Sequence, residues 1–482
     1  MSGPDEELDV VIVGAGISGV TMARQLGLDH PGLSCAVLEA RDRVGGTWDL
    51  FRYPGIRSDS GMDTFAFSFK PWTGTRHFGR GEEIRAYVEE AAADHGIDRL
   101  IRFRHRVTAA DWDGGDARWT VTIESESGTR RIRCRFLIGC TGYYRYDRGF
   151  SPAFPGEEEF RGELFHAQGW PEGLELEGRD VVVIGSGATA ITIVPALAEA
   201  GARVTMLQRS PSYVVSVPND DPVGRAVKRL LPRRPAAALL RWLGVVTEIA
   251  QFQLSRRFPG LARRVMIRAA RRQLPPGFDR RHLVPAYDPW AQRVCFAPDG
   301  DYYEALGSGR ARIVTDRIAR LTPGGLRLES GAELKADAIV KATGLDLQLF
   351  GGAELSLDGT PVDPADRLVH RGAMLSGIPN FVFVVGYTNA SWTLKSELVA
   401  RFASRLIATA RRRAAAAFAP IAPTGPMATV PLLNLDSGYI HRAESRLPRA
   451  GDASPWVLHM NYFSDRRELL RGNLEDGTIE FR

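Results

Sequence analysis

Twice in its 482 residues this chain runs from a short β-branched stretch through a glycine-rich turn into a helical pattern. Asp9-Val10-Val11-Ile12-Val13 leads into Gly14-Ala15-Gly16-Ile17-Ser18-Gly19. Asp180-Val181-Val182-Val183-Ile184 leads into Gly185-Ser186-Gly187-Ala188-Thr189-Ala190-Ile191. The glycines allow a tight turn and a close backbone approach to a pyrophosphate, and the N-terminus of the following helix faces the phosphates. Alanine at the third position of the second motif is tolerated. A glycine motif alone also fits a tight turn without a ligand, so the ends of the next strands matter. Ala36-Val37-Leu38 ends in Glu39, 25 residues after Gly14, where a carboxylate can accept hydrogen bonds from a ribose. Val204 to Gln208 ends instead in Arg209-Ser210, 24 residues after Gly185. A carboxylate there would repel a 2′-phosphate, whereas a guanidinium grips it with two hydrogen bonds. The bland alternative for Arg209 is a solvated strand-end arginine. The first site therefore reads an unphosphorylated ribose and the second reads NADP. Two such sites predict electrons passing between two cofactors.

The expected fold is α/β: two Rossmann-like dinucleotide-binding domains with a helical insert. Arg102 to Tyr143 reads as a β-meander, with Trp119 to Ile123 alternating and Asp113-Gly114-Gly115-Asp116 turning. Arg310 to Leu345 mirrors it through Ile313-Val314, Leu326-Arg327-Leu328 and Ala338 to Gly344. Both halves close on a hydrophobic-(Cys/Ala)-Thr-Gly stretch, the trace of a degenerate duplication. The first domain is expected over 1–150 and again over 378–482. The second is expected over 151–222 and 291–377, and the insert over 223–290. Ile378 to Gly386 reads as a strand that completes the first sheet. A long helix from Leu394 to about Arg413 follows, then a connection through Pro420, Pro423 and Pro426.

Hydrophobic residues make up 44% and charged residues 25%, as in ordinary globular proteins. No run of about 18 uninterrupted apolar residues suggests a membrane span. The formal net charge of +5 is unevenly spread: residues 223–273 hold thirteen Lys/Arg and one acid, Glu248. The remainder is net negative, so the basic balance is local and does not argue for nucleic acid. It fits a solvated helical face, an electrostatic guide for NADPH, or a peripheral membrane contact. Cys35, Cys134, Cys140 and Cys295 form no CxxC pair, so neither a metal site nor a redox dithiol is expected. A reducing, cytoplasmic setting fits them, and the acidic stretch Met1 to Glu7 lacks a signal-peptide pattern.

Two longer motifs carry a family resemblance. Gly46-x-Trp48, with Tyr53-Pro54-Gly55 and Asp59, resembles the upstream fingerprint of the class B flavoprotein monooxygenases. Phe160-Arg161-Gly162-Glu163-Leu164-Phe165-His166-Ala167-Gln168-Gly169-Trp170-Pro171 matches the Baeyer–Villiger pattern FxGxxxHxxxWP at every fixed position, just before the second glycine motif. The resemblance runs from Asp9 to about Tyr462. It implies FAD in the first fold and NADPH in the second, in a glutathione-reductase-like arrangement with the active site between them. Gly14, Gly16, Ser18, Gly19, Glu39, Thr47, Trp48, Asp49, Leu50, Asp59 and the strand-end Val107 resemble FAD contacts. Arg57 and Ser58, with Asp59, resemble nicotinamide-side contacts. Gly185, Ser186, Gly187, Ala188, Thr189, Ala190, Ile191, Arg209 and Ser210 fall where the family holds NADPH. Arg293 resembles the family's active-site arginine, and His166 a histidine that couples the domains; its plain reading is a structural hydrogen-bonder. Gln292 departs from the family, where a lysine at this position helps hold the 2′-phosphate. Arg209 would then act alone, with Lys341 as a further basic candidate.

The resemblance implies a Baeyer–Villiger monooxygenase that uses O2, through a flavin C4a-peroxide, to turn ketones into esters or lactones and to oxidise sulfides or thioamides. Arg293, always protonated, would stabilise an anion, and Asp59 would fix its position. Without the family motif, Arg293 reads as an ordinary surface arginine. The alternatives are a flavin enzyme hydroxylating nitrogen or sulfur, a leaky NADPH oxidase, and a flavin-binding scaffold without turnover.

Overall fold

A computed structural model describes residues 5–423, 425, 427–433 and 435–482. Met1 to Pro4, Thr424, Pro426 and Asn434 lie outside the described residues. These include the start of the acidic N-terminus and the last proline of the anticipated connection.

The first β-branched stretch is β1 (Glu6–Val13), which the glycine turn delivers into α1 (Ile17–Asp29). There follow β2 (Cys35–Leu38), the single-turn helices α2 (Thr47–Leu50) and α3 (Met62–Phe65), α4 (Gly81–Asp94) and β3 (Ile101–Arg102). β1, β2 and β3 pair in parallel. The meander β4 (Arg106–Asp113), β5 (Arg118–Ser125) and β6 (Gly128–Gly139) is antiparallel within itself, and β6 runs parallel to β1 on its other edge. β1 is thus buried on both faces, Val10 and Ile12 in one core and Val11 in another. This is why it reads as a continuous apolar run and not as an alternation.

The second motif repeats the plan with β7 (Glu163–His166), β8 (Asp180–Ile184), α5 (Ala188–Glu199) and β9 (Arg203–Gln208). After β10 (Val214–Val217) come the insert helices α6 (Pro222–Leu230), α7 (Arg233–Arg257) and α8 (Pro259–Arg272). Prolines in the first turn open α6 and α8, where a missing N–H does no harm. β11 (Cys295–Pro298) returns beside β10, and α9 (Asp301–Gly307) leads to β12 (Ala311–Thr315). β13 (Ile318–Thr322), β14 (Gly325–Leu328), β15 (Glu333–Lys335) and β16 (Ala338–Lys341) complete this half. Its sheet has the parallel order β12-β9-β8-β16-β7.

Two expectations need correction. Ile313-Val314 belongs to β12 in the parallel sheet, and only β13–β15 form the second meander. That meander is a separate three-stranded sheet whose Leu321, Leu326, Leu328 and Leu334 pack in one small core with Val182, Ile184, Leu207 and Ile339 of the parallel sheet. Its strands are too short to extend the main sheet as β4–β6 do. The chain also returns to the first sheet well before residue 378. β17 (Glu354–Leu357) pairs in parallel with β4, and β18 (Thr360–Pro361) pairs with β17. A four-residue edge strand carries too little periodicity to be read from sequence.

The strand Phe381–Phe383 pairs with β6 and completes a nine-stranded sheet, the place expected for the run from Ile378. α10 (Trp392–Arg412) starts two residues before Leu394 and packs against α1; Ala414 to Ala417 open the connection that follows. α11 (Gly438–Ala443) and α12 (Tyr462–Arg471) follow, and a last strand, Ile479–Phe481, pairs with Phe418–Pro420. Among the described residues no helix is long and apolar enough to cross a membrane.

Candidate active site

The turn from β1 into α1 opens onto a cavity of about 480 Å³. Gly14, Gly16 and Ser18 line it from the fingerprint, Glu39 from the end of β2, Thr47 and Trp48 from α2, and Val107 from β4. Gly14 has φ +102°, and a Cβ there would lie 2.7 Å from the carbonyl oxygen of Cys140. Gly19 lies behind the cavity wall, where a Cβ would fall 1.8 Å from the carbonyl oxygen of Gly14. These contacts are the tight turn and the close helix–strand packing that the motif demands. α1 has no side-chain N-cap, so its first-turn N–H groups remain available to an anion. Glu39 is fixed by the backbone N–H groups of Ala15 (2.7 Å) and Arg41 (2.9 Å). Burial pushes its carboxyl pKa up, and those two bonds oppose the shift.

The following loop crosses from one half to the other. Asp49 is buried and paired with Arg41 (2.6 Å) and Arg52 (3.2 Å), and Leu50 packs on the second core, so neither lines the cavity. Phe51 and Tyr53 share that core with Ala190, Ile191 and Val194 of α5, and the Tyr53 hydroxyl meets the Thr189 side chain. A Cβ on Gly55 would come within 2.9 Å of the Thr192 carbonyl oxygen. Arg57 is paired with Asp301 at the start of α9, and the buried Ser58 hydroxyl accepts from the Gly79 N–H at 3.1 Å. In this structure both fasten the loop and neither lines the cavity.

At the loop's end Asp59 meets Arg293 at 2.9 Å, 234 positions further along the chain. Both line the cavity. Arg293 stands just before β11, on a turn where buried Trp290 adopts φ +65°, an uncommon conformation for a bulky residue. That turn is clamped on two sides. The Trp290 ring stacks edge-on against Phe252 of α7 at 5.4 Å, and the Asp436 N–H donates to the Ala291 carbonyl at 2.7 Å. The Asp59 charge raises the pKa of the guanidinium above its already high value, so Arg293 is a permanent cation. Tyr143, Tyr144 and Tyr439 surround it, and burial holds all three hydroxyls in the neutral form.

Several residues in and around the cavity escaped the sequence reading. Tyr143, Tyr144 and Tyr146 directly follow the Thr141-Gly142 strand end, the position where parallel sheets place ligand contacts. Trp392 donates to the Ser18 hydroxyl (2.9 Å) and packs against Tyr143 with ring centroids 5.1 Å apart. Glu248, the single acid of the basic segment, turns inward. It accepts from the Thr64 hydroxyl (2.6 Å) and the Ser391 N–H (3.2 Å), and burial lifts its carboxyl to about 7. Nothing in the sequence signalled it except its isolation among cations.

At the second motif Gly185 has φ +137°, and its Cβ would lie 2.3 Å from the Ala342 carbonyl oxygen. The Ser186 hydroxyl donates to the Ser210 carbonyl at 2.8 Å, tying the fingerprint to the end of β9. Gly187 and Ala188 are exposed, as is Arg209, which has no ion pair or side-chain hydrogen bond among the described residues. Lys341 is placed elsewhere: buried, paired with Glu157, and donating to the Pro152 carbonyl at 3.0 Å. It anchors the linker between the halves. His166 does the same, with Nε2 3.0 Å from the Gly344 carbonyl oxygen and Nδ1 accepting from the Gln168 N–H at 3.1 Å. Burial lowers its pKa, which fits the plain structural reading. All four cysteines are free, and burial pushes the Cys35 and Cys295 thiols up to about 12.

Comparison with known proteins agrees with this geometry. A family profile described as "Flavin-binding monooxygenase-like" matches residues 7–260. The chain is 48% identical to the FAD-containing monooxygenase EthA of Mycobacterium tuberculosis over 478 residues, covering 99% of this chain and 98% of the relative. A solved steroid monooxygenase bound to NADP matches the fold with a TM-score of 0.77 at 24% identity, over 98% of this chain and 99% of that one. A cyclohexanone-bound cyclohexanone monooxygenase matches at 0.71 and 23% identity, over 86% and 89% of the two chains. With a family profile across more than half of its length and a relative nearly half identical along almost all of it, this chain belongs to the flavin-binding monooxygenase-like family and is a flavoprotein monooxygenase.

Proposed function

We propose that the chain is an FAD- and NADPH-dependent Baeyer–Villiger monooxygenase. Ketone, O2, NADPH and a proton become ester or lactone, NADP⁺ and water; sulfides and thioamides are further substrates of the same site. The observation that carries this reading is the Arg293–Asp59 pair in the wall of the cavity onto which the first fingerprint opens.

The residues present fit the two cofactors. The uncapped start of α1, the Cβ-free approach at Gly14 and the anchored Glu39 suit the pyrophosphate and ribose of FAD. The exposed Arg209, which has no ion pair among the described residues and stands beside the Ser186–Ser210 contact, suits the 2′-phosphate of NADPH. When bound, FAD supplies the activation of O2, with NADPH as the electron source. The chain's own part is electrostatic. Arg293 presents a fixed positive charge to the oxygen of the substrate carbonyl, where negative charge develops as the new C–O bond forms. Asp59 holds the guanidinium in place, so no reorganisation is needed at that moment. Tyr143, Tyr144 and Trp392 wall the cavity with aromatic surface and keep water from the reacting groups. The test is a panel of ketones scored for ester. Coenzyme consumption without ester at every ketone would remove the Baeyer–Villiger reading and leave an oxidase or a heteroatom hydroxylase.

The basic insert meets an anionic bilayer in this reading. Among the described residues, ten of the fifteen exposed large apolar side chains fall between Val223 and Val265, interleaved with the arginines. Such a face suits a lipid surface rather than bulk water. Binding to phosphatidylglycerol vesicles at low salt, lost at high salt, is the expected result. No binding at low salt would leave a solvated insert.

A further inference from the structure

A second cavity, of about 720 Å³, lies against the first, between α7, residues 66–72, α10 and α12. The reading of the active site does not use it. Its walls are aromatic and aliphatic: Phe67, Phe69, Trp72, Trp242 and Leu398. Trp242 is 55% exposed and Phe463 44% exposed, so both stand at the rim.

The charges lining it do not balance. Its two acids already have partners: Asp63 pairs with Lys228 at 3.3 Å, and Glu397 takes Arg241 at 2.8 Å and the Ser68 N–H at 2.6 Å. Arg24, Arg234, Arg401 and Arg466 also line it and form no ion pair among the described residues. The Arg24 Nε is buried with no hydrogen-bond partner among the described residues, while its guanidinium lies over the Phe69 ring at 5.7 Å. His95 adds no charge at neutral pH, because burial and the neighbouring Arg24 lower its pKa. A purely polar anion would leave the aromatic walls uncovered, and a neutral hydrocarbon would leave the arginines unanswered. An anionic head on an apolar tail satisfies both.

We propose that this cavity binds an amphiphilic carboxylate, a carboxylate head on an acyl or arylalkyl tail. The head is held by Arg24, Arg401 and Arg466, and the tail lies against Trp72, Phe67 and Trp242. One layer of residues separates it from the active cavity. Phe65 lines the first and Ala66 the second; Tyr387 lines the first and Leu394 the second, and both pack on Val245.

The experiment titrates the FAD-loaded enzyme with monomeric dodecanoate, below its micelle concentration, by calorimetry. Dodecanol and phosphatidylglycerol vesicles form the comparison arms. Arg401→Glu and Arg466→Glu are exposed positions, and their flavin content reports that each variant is folded. One dodecanoate per chain is expected, with dodecanol at least about tenfold weaker. Each charge reversal should weaken dodecanoate by about tenfold or more, the scale of a lost charge-assisted bond. A dibrominated dodecanoate should quench tryptophan emission less after Trp242→Phe. A saturating ketone should leave the affinity unchanged, because the ketone occupies the other cavity. The proposal is overturned if dodecanol binds equally well, if both reversals change affinity less than twofold, if ketone competes, or if only vesicles bind.

Discussion

Gly14 to Gly19 and Gly185 to Ile191 begin with the same turn, and in both a strand end from later in the chain crosses behind the first glycine. Cys140 does so in one half and Ala342 in the other, each leaving no room for a Cβ. Beyond that contact the two sites diverge. The first is walled by α2, the Tyr143–Tyr144 loop and Trp392, and its strand-end acid Glu39 is held by two backbone bonds. The second is exposed at Gly187, Ala188 and Arg209, and its strand-end cation has no partner among the described residues. The backbone code for a pyrophosphate is therefore separable from enclosure, which comes from elements far away in sequence. The enclosed site suits a cofactor kept through many turnovers, and the open one suits a coenzyme that arrives and leaves.

The sharpest way to break this contrast is to add one methyl group to each site. Gly19→Ala places a carbon 1.8 Å from a backbone oxygen, so the protein should be isolated without flavin absorbance or not folded. Gly187→Ala meets nothing within 4 Å and should be yellow and stable, with only the coenzyme KM raised. Equal damage from both would end the distinction. Next in size is Arg293→Ala. Flavin should stay bound while ester formation falls by about 10²–10³, the cost of losing one oriented donor in a dry site. Arg293→Lys should recover only part, because an ammonium cannot reproduce the planar fork. An Arg293→Ala enzyme with the parent rate would take the residue out of the mechanism.

Arg209→Ala tests the open site alone. NADPH should bind more weakly by about 1.5–3 kcal/mol, with NADH and flavin content unchanged. A loss shared equally by both coenzymes would mean that Arg209 does not read the 2′-phosphate. The smallest effect belongs to Glu248, whose carboxyl is lifted from 4.5 to about 7 by burial. Between those values the folded chain holds a proton that the unfolded chain releases. The stability this group contributes is therefore full below about pH 4.5 and lost as pH rises through 7. Glu248→Gln, always neutral, should stabilise the protein by about 1–2 kcal/mol at pH 8 and have little effect at pH 4.5. Thermal melts at the two pH values decide it, and the NADPH KM should not move.

The strand–turn–helix units, the strand-end Glu39 and Arg209 and the helical insert were legible because each depends on residues close together in sequence. The Asp59–Arg293 contact was legible only through motif resemblance, since neither residue's surroundings are local. Arg57 and Ser58 are expected as coenzyme contacts from the resemblance alone; their partners in the structure, Asp301 and Gly79, are ones no local pattern announces. Lys341 sat in a recognisable strand end, but its pairing with Glu157 depends on a linker with little regular structure. The tyrosines after Thr141-Gly142 were within reach, because they follow a legible strand end, where parallel sheets place ligand contacts. The second cavity was beyond reach, because its walls come from six separate stretches of chain.

The interrupted first sheet has a consequence for how the protein is made. A nascent chain that has emerged only as far as Lys341 already holds every strand of the parallel sheet β12-β9-β8-β16-β7. The nine-stranded sheet still lacks β17, β18 and Phe381–Phe383, and the last of these must find β6 by closing a loop that runs from Leu137 to Phe381. Contacts of such separation form late. On the ribosome the coenzyme half is thus complete while the flavin half still waits for its final strand and for α10. For that interval β4 and the Leu137–Gly139 end of β6 offer unpaired edges to any neighbour, which exposes the nascent chain to aggregation.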